Sequence, residues 1–337
     1  FLPSYARSMP QLRQNIITGE WVVIAPERAK RPSDFASAAA LKGQLKTDCV
    51  FCVGSQIYRE QNLKKFETEH IYVIPNSYPA FLEDPHASSG RSYPVEDGFY
   101  IGRPSTGGHD VIIIKSHDHD LLSLDEAIIG EMLLVGQRRY QYWRRDRLVN
   151  YSMLIYNHGV QAGASIAHPH AQLFASAIIP NQVSRELAGT QRYYESHGGC
   201  VYCDIIAHEL KQKIRVVEET ADFVAFAFYA ARFPFEVWIL PKKHVAAFEE
   251  EPEMMVKAAG GILHNVLRRL GSVLRQPALN FFIHDAPTST HNGRSHYHWH
   301  IEIAPRVSTY GGYELGSGTI IDVMSPEDAA KYLREKA

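Results

Sequence analysis

The chain is predicted to be an α+β protein made of two tandem halves, residues 1–185 and 186–337, each a mainly antiparallel sheet with packed helices. Three observations carry that expectation. Chemistry-bearing residues recur in one order: Cys49, Cys52, His119 and His168-Pro169-His170 in the first half, then Cys200, Cys203, His244 and His298-Trp299-His300 in the second. A stretch rich in β-branched and aromatic residues precedes each His-x-His, at residues 151–156 and 279–283, as suits a pleated, half-buried surface. Segments with apolar residues at helical spacing lie between the strands.

Taken in order, the same composition predicts further strands at residues 21–24, 70–74, 110–114, 223–226 and 237–240. Residues between Pro85 and Gly108 are rich in Gly, Pro and Ser and read as a long loop. Ser123 and Glu126 form a capping-box pattern for a helix whose apolar face begins at Ile128, Ile129, Met132 and Leu133 and ends near Arg147. The basic run Arg138, Arg139, Arg144, Arg145 and Arg147 reads as its solvated face. A matching helix is expected over residues 254–274, although Gly260 and Gly261 each cost it about 1 kcal/mol against Ala. A last helix is capped by Ser325, with Pro326 in its first turn. The boundary between halves falls near residues 180–192.

With 45% hydrophobic and 21% charged residues among 337, the composition is that of a globular protein with room for a sizeable core. A formal net charge of −2 supplies no global attraction to nucleic acid or to a membrane surface. No apolar run is long enough to span a bilayer and the first residues lack the order of a secretion signal, so a cytoplasmic location and a small-molecule substrate are expected.

All four cysteines fall in two pairs, Cys49-x-x-Cys52 and Cys200-x-x-Cys203, in a chain with 17 histidines. Two intervening residues let a tight turn aim both thiolates at one tetrahedral ion, so metal is the leading reading; neither pair has a thioredoxin-like context that would favour a redox dithiol. The most informative stretch is His168-Pro169-His170 with Gln172 after it and the loop Asn157 to Ser165 before it. A neutral imidazole can attack an α-phosphorus and carry the nucleotide as a phosphoramidate, which splits one difficult displacement into two. His109, His158, His208 and His264 have no partner pattern and default to solvated or core-satisfied positions, with His158 close enough to the phosphate loop to touch a ligand.

Arg28-Ala29-Lys30-Arg31-Pro32, Cys49-Val50-Phe51-Cys52, Asn76, His119, the Asn157 to Gln172 block and Gly312-Tyr313-Glu314 together give the chain its likeness to a known family. It resembles the galactose-1-phosphate uridylyltransferase family of the histidine-triad superfamily, including its plant ADP-glucose phosphorylase branch, over nearly its whole length. The resemblance implies two tandem histidine-triad-like halves and a double-displacement enzyme of carbohydrate metabolism. His170 would be the nucleophile that takes a nucleoside monophosphate from a nucleotide sugar, UDP-glucose in the leading reading, and passes it to a hexose 1-phosphate. Arg28, Arg31, Asn157, Gly163, Ser165 and Gln172 would hold the nucleotide and its phosphate, and Asn76 would lie at the nucleoside. A homodimer is implied, with Gly312 and Glu314 reaching the sugar in the partner's site.

Hydrolytic members of the superfamily place a third His where Gln172 stands, and an amide cannot do the same acid–base work, so transfer is favoured over hydrolysis. The resemblance also implies two zinc sites. Cys49, Cys52, His119 and His168 make one, with His117 as the rival to His119. Cys200, Cys203, His244 and His298 make the other, where the competing set is Glu186, His284, His298 and His300, with iron. His296 to His300 spells a fuller triad than the first half does, yet the second metal claims His298 and no phosphate loop precedes it. The chain departs from the usual uridylyltransferase pattern around Gly312: Ser308-Thr309-Tyr310-Gly311 precedes it, without the usual Lys-Phe, and Gly316-Ser317-Gly318 follows. That loop resembles the adenylyl branch, in which phosphate can be the acceptor.

Overall fold

The computed structural model describes residues 9–28, 49–60, 66–83, 93–95, 98–102, 104–288 and 292–335. Arg31, and the side chain of Arg28, lie outside them. A ten-stranded antiparallel sheet forms the centre, half of it from each end of the chain. From the first half come β3 (Phe66–Glu67), β4 (Ile71–Pro75), β7 (Gly107–Ile114), β8 (Tyr151–His158) and β9 (His170–Ser176). From the second come β10 (Val216–Glu219), β11 (Phe223–Ala227), β12 (Val237–Pro241), β13 (Leu279–His284) and β14 (His300–Pro305). The spatial order β10-β11-β12-β14-β13-β8-β9-β7-β4-β3 reads as one five-strand pattern and its mirror, joined where β13 pairs with β8.

Alternation decides which face each residue serves. In β4 and β7, Ile71, Val73, Ile112 and Ile114 enter the main core, whereas Tyr72, Ile74, Val111 and Ile113 enter a smaller cluster with Cys49 and Phe51 on the opposite face. Both faces are apolar, so all eight residues of β7 are buried. The main core lies under three helices, α2 (Glu126–Trp143), α5 (Glu253–Leu274) and α7 (Pro326–Glu335). The opposite face is covered differently in the two halves. Under the second half lie α3 (Asn181–His197), α4 (Val201–Gln212) and a small sheet of β1 (Gln11–Gln14), β2 (Trp21–Ile24) and β15 (Ile320–Asp322). Under the first half lies the segment around Cys49 and Phe51, which leads into the single-turn α1 (Gln56–Arg59).

The glycine pair that weakens the expected helix over residues 254–274 has a packing reason. A Cβ at Gly260 would sit 2.6 Å from the Cα of Gly130, so α5 and α2 cross backbone to backbone at a glycine contributed by each. The propensity cost is offset by close helix packing.

Several sequence expectations shift. Helix α2 starts at Glu126 with Asp125 as its N-cap, not Ser123, because the Ser123 hydroxyl is engaged with Asp120. Its basic run is a solvated face only in part: Arg138, Arg145 and Arg147 are exposed, but Arg139 is buried and pairs through Nε with Asp110 Oδ2 at 2.9 Å, and Arg144 pairs with Glu249. The stretch between Pro85 and Gly108 contains a short hairpin, β5 (Tyr93–Val95) and β6 (Tyr100–Gly102). Ser325 does cap α7, its hydroxyl accepting from Asp328 N–H at 3.1 Å. Among the described residues no helix is long and apolar enough to cross a membrane.

Candidate active site and metal centres

His170 opens β9 on the sheet face opposite the main core, directly across from Ile113 of β7. Its Nδ1 lies 2.8 Å from the carbonyl oxygen of His168, which is an acceptor only, so the ring carries its proton on Nδ1. That leaves the Nε2 lone pair for chemistry, and Nε2 has no partner among the described residues. Burial holds the His170 pKa below the ordinary imidazole value, against the pull of the His168 carbonyl, so the ring is neutral at pH 7. Phe51 meets it edge-on at 5.2 Å.

Two carboxamides flank the ring. Gln172 is two residues along β9 on the same face. Tyr156 of β8 pairs with Ala171, so the next residue, Asn157, comes opposite His170. The loop that follows turns back sharply. Gly159 and Gly163 have φ values of 84° and 85°, which L side chains rarely adopt, and Ala162 and Ala164 both donate backbone N–H to the Gly159 carbonyl. Ser165 stands exposed at its end. Asn76 follows β4 and reaches the same sheet face through His109, whose Nε2 is 3.3 Å from its Nδ2.

The first cysteine pair gathers Cys49, Cys52, His117 and His168, with ligand-type atoms all within 4.8 Å of one another. Cys49 Sγ to His168 Nδ1 is 3.5 Å, Cys52 Sγ to His117 Nδ1 is 3.1 Å, and the two Nδ1 atoms are 3.1 Å apart. A tetrahedral ion with metal–nitrogen bonds of about 2.0 Å and metal–sulfur bonds of about 2.3 Å spaces its ligands roughly 3.3–3.8 Å apart, so the set comes within a few tenths of an ångström of that geometry. His168 Nε2 donates to the Ile114 carbonyl at 2.6 Å, which turns the Nδ1 lone pair toward the thiolates. Burial is the main reason the His168 pKa falls to about 4, so the ring stays unprotonated and able to ligate. His119 is the correction here: it is exposed and its Nδ1 meets Ser116 Oγ at 2.8 Å. The strand that would have put His117 and His119 on one face ends at Ile114, and the bend beyond it sends them apart.

In the second half, Cys200, Cys203, His244 and His298 form the corresponding cluster. Cys203 Sγ is 3.4 Å from His244 Nδ1 and 3.7 Å from His298 Nδ1, while both Nε2 atoms donate to carbonyls, those of Arg294 and Pro241, at 2.9 Å. The Cys203 thiol is pulled down to about 3, chiefly by a hydrogen bond from Cys200 with both imidazoles adding, so the site holds a thiolate readily.

The rival set assembles only without His298, as a third group whose ligand-type atoms all lie within 4.8 Å of one another. His298 belongs to the cysteines, whereas Glu186, His284 and His300 meet Glu302 in a separate, fully buried cluster. There His284 Nδ1 lies 3.0 Å from Glu186, Tyr297 donates to Glu186 at 2.7 Å, and the Arg232 guanidinium pairs with Glu302 and, at 3.0 Å, with Glu236. Each carboxylate already has a cationic or hydroxyl partner. Despite burial, Glu186 and Glu302 draw the His284 pKa above its ordinary value.

Gly312 and Glu314 lie on α6 (Gly312–Ser317), where Glu314 Oε2 accepts from Gly311 N–H at 2.9 Å, and among the described residues no contact joins them to His170. Sequence reasoning also missed His109 and Asn280. His109 lies on β7, two and four residues before Val111 and Ile113 of the functional face. Beginning that strand at residue 110 hid the alternation that would have exposed it. Asn280 pairs with Asn157 across the β13–β8 junction, a register that no local pattern encodes.

An imidazole with a free nitrogen, flanked by amides and beside a Cys2His2 cluster, is an arrangement chemically able to carry a nucleotidyl group. Residues 3–180 match the galactose-1-phosphate uridyl transferase N-terminal domain and residues 186–335 match its C-terminal domain. The chain belongs to the galactose-1-phosphate uridyl transferase family, and it is a nucleotidyltransferase. It is 33% identical to ADP-glucose phosphorylase of Arabidopsis thaliana, covering 98% of this chain and 94% of that one. It is 28% identical to galactose-1-phosphate uridylyltransferase of Thermotoga maritima, covering 97% and 98%. A crystal structure of an ADP-glucose phosphorylase from Arabidopsis thaliana with bound ADP-glucose superposes with a TM-score of 0.82 at 33% identity, over 97% of this chain and 99% of that one.

Proposed function

We propose that the chain transfers a nucleoside monophosphate from a nucleotide sugar to a phosphate-bearing acceptor through a covalent nucleotidyl-His170. The observation that carries this reading is the His170 ring itself, with Nδ1 tied to the His168 carbonyl and Nε2 open between Asn157 and Gln172. Nε2 attacks the α-phosphorus, the bond to the bridging oxygen breaks, and the sugar 1-phosphate leaves. An acceptor phosphate oxygen then attacks the same phosphorus and the N–P bond breaks. Amide N–H groups and Arg28 and Arg31 would stabilise the charge on the non-bridging oxygens.

UDP-glucose with a hexose 1-phosphate is the pair that suits the uridylyltransferase relatives, whose names give galactose 1-phosphate and uridylyl transfer. ADP-glucose with a hexose 1-phosphate or inorganic phosphate is favoured by the 33% identity to ADP-glucose phosphorylase and by the glycine-rich segment after Glu314. Intact-mass measurement after incubation with each nucleotide sugar separately distinguishes them, since the faster-forming adduct names the donor. No adduct from either would sink the covalent mechanism.

Both Cys2His2 sets are read as closed zinc sites, because two thiolates with two imidazoles suit zinc better than iron. They leave no open position for substrate, so their role is to hold His168 and its neighbours. The working unit is read as a homodimer, on the observation that Glu314 has no described contact with its own chain's His170. A monomeric mass by light scattering at the concentration of full activity would refute that.

A further inference from the structure

Two side chains behind the active site touch no reacting group, yet they decide which end of each carboxamide meets the phosphate. The nitrogen Nδ2 of Asn280, on β13, lies 2.8 Å from the Ala162 carbonyl and 2.8 Å from Asn157 Oδ1. A backbone carbonyl can only accept, so the Asn280 nitrogen must be the end that faces it. Asn157 is therefore obliged to turn its oxygen back toward Asn280, and its NH2 is left for the site. On the other flank Ala80 N–H donates to His109 Nδ1 at 3.3 Å, which places the proton of a neutral ring on Nε2. That N–H points at Gln172 Oε1, 2.8 Å away, so the Gln172 NH2 is also left for the site. The amide nitrogen of Asn76 lies 3.3 Å from the same Nε2 but makes no hydrogen bond to it, because a protonated Nε2 has no lone pair to accept with. His109 is itself clamped by stacking on Phe174 at 3.9 Å.

Neither amide nitrogen, Asn157 Nδ2 nor Gln172 Nε2, has a partner among the described residues, although both oxygens do. In solution a carboxamide flips freely and offers an anion its oxygen as readily as its nitrogen. Here the flip is removed before substrate arrives, which is preorganisation of donors toward developing negative charge.

We propose that Asn280 and His109 are positioning residues that lock the Asn157 and Gln172 carboxamides with their NH2 groups toward the phosphorus bound by His170. Asn280 comes from the second half, so the first half's site is oriented in part across the β13–β8 junction. The inference rests on the covalent mechanism proposed above and says which residues prepare it.

The test is the single-turnover rate of adduct formation, read by intact mass with ADP-glucose and with UDP-glucose, together with the donor's Kd. Removing one such donor outright typically costs about 10²- to 10³-fold in rate. Asn280→Ala, which only releases the flip, is expected to slow the reaction about tenfold with Kd little changed. Asn280→Asp replaces the donor with an acceptor of the same shape, forces Asn157 to turn over, and should slow it about a hundredfold. In an Asn157→Ala background either change should lose most of its effect. For His109, Asn retains a group at the Nδ1 end but not at Gln172, whereas Gln reaches Gln172 with an N–H. His109→Asn should therefore be slow and His109→Gln close to the parent, with the difference erased in Gln172→Ala.

If the unmodified protein forms adduct while these variants match it, or slow equally in the Asn157→Ala and Gln172→Ala backgrounds, the positioning role is overturned. If the unmodified protein forms none, the covalent mechanism fails first and this inference with it. The Asn280→Ala and His109→Gln pair keeps the test readable should a bulkier or charged change unfold the protein.

Discussion

His170 and His300 each open a sheet strand, turn Nδ1 to the carbonyl of the histidine two residues back, at 2.8 and 3.0 Å, and follow a histidine held in a Cys2His2 cluster. From that shared start the two halves part. His170 keeps a small exposure of 8% and an unpartnered Nε2, whereas His300 has none, is stacked on Trp238 at 4.8 Å, and has its Nε2 3.3 Å from Glu302. The residue two further along the strand marks the change: Gln172 offers a neutral amide, while Glu302 brings a charge that Arg232 and His284 must balance. Coverage completes it, since α3 and α4 supply Glu186 and Tyr202 over His300, whereas among the described residues no helix closes over His170. A duplicated scaffold thus holds one histidine with an open nitrogen and one that is fully enclosed, and their surroundings, not their motifs, tell them apart.

The largest expected effect separates the halves outright. His170→Gln should abolish adduct formation, whereas His300→Gln should preserve it at a lower melting temperature; an adduct persisting in His170→Gln would break the comparison. Metal loss should be measurable in both halves but differ in its consequence. Elemental analysis is expected to find about two zinc ions per chain, Cys52→Ser and Cys203→Ser should each lose one, and iron retained with the second pair would overturn that assignment. The Cys52→Ser loss should also slow adduct formation, because His168 sits two residues from His170, the proposed nucleophile, while Cys203→Ser should chiefly destabilise. The smallest effect on chemistry belongs to Glu302→Gln. Breaking a buried ion pair costs about 3–5 kcal/mol of stability, so denaturant unfolding should shift strongly while the rate per folded molecule stays near the parent's. A large loss of rate with stability unchanged would place Glu302 in the reaction.

Much of this was legible from spacing. The repeated order of Cys-x-x-Cys and His-x-His foretold two related halves, and the β-rich stretches before each His-x-His became β8 and β13, the central pair of the sheet. The glycines at 159 and 163 stand where the loop after β8 needs positive φ. What failed was the geometry beyond strand ends. His117 and His119 differ only by a bend after Ile114, which spacing alone does not encode, and a period-2 argument has no force outside a strand. Arg139 reads as solvated because its partner, Asp110, lies on another element. His109 and Asn280 have no motif at all, since their roles arise from contacts across strands with Gln172 and Asn157.

The most direct test of the account is to trap the adduct from a nucleotide sugar, digest the protein, and locate the modified peptide by tandem mass spectrometry. The account predicts a single nucleoside monophosphate on the peptide containing His168-Pro169-His170, borne by His170. A nucleotide on the His298-Trp299-His300 peptide, or on a non-histidine residue, would contradict it.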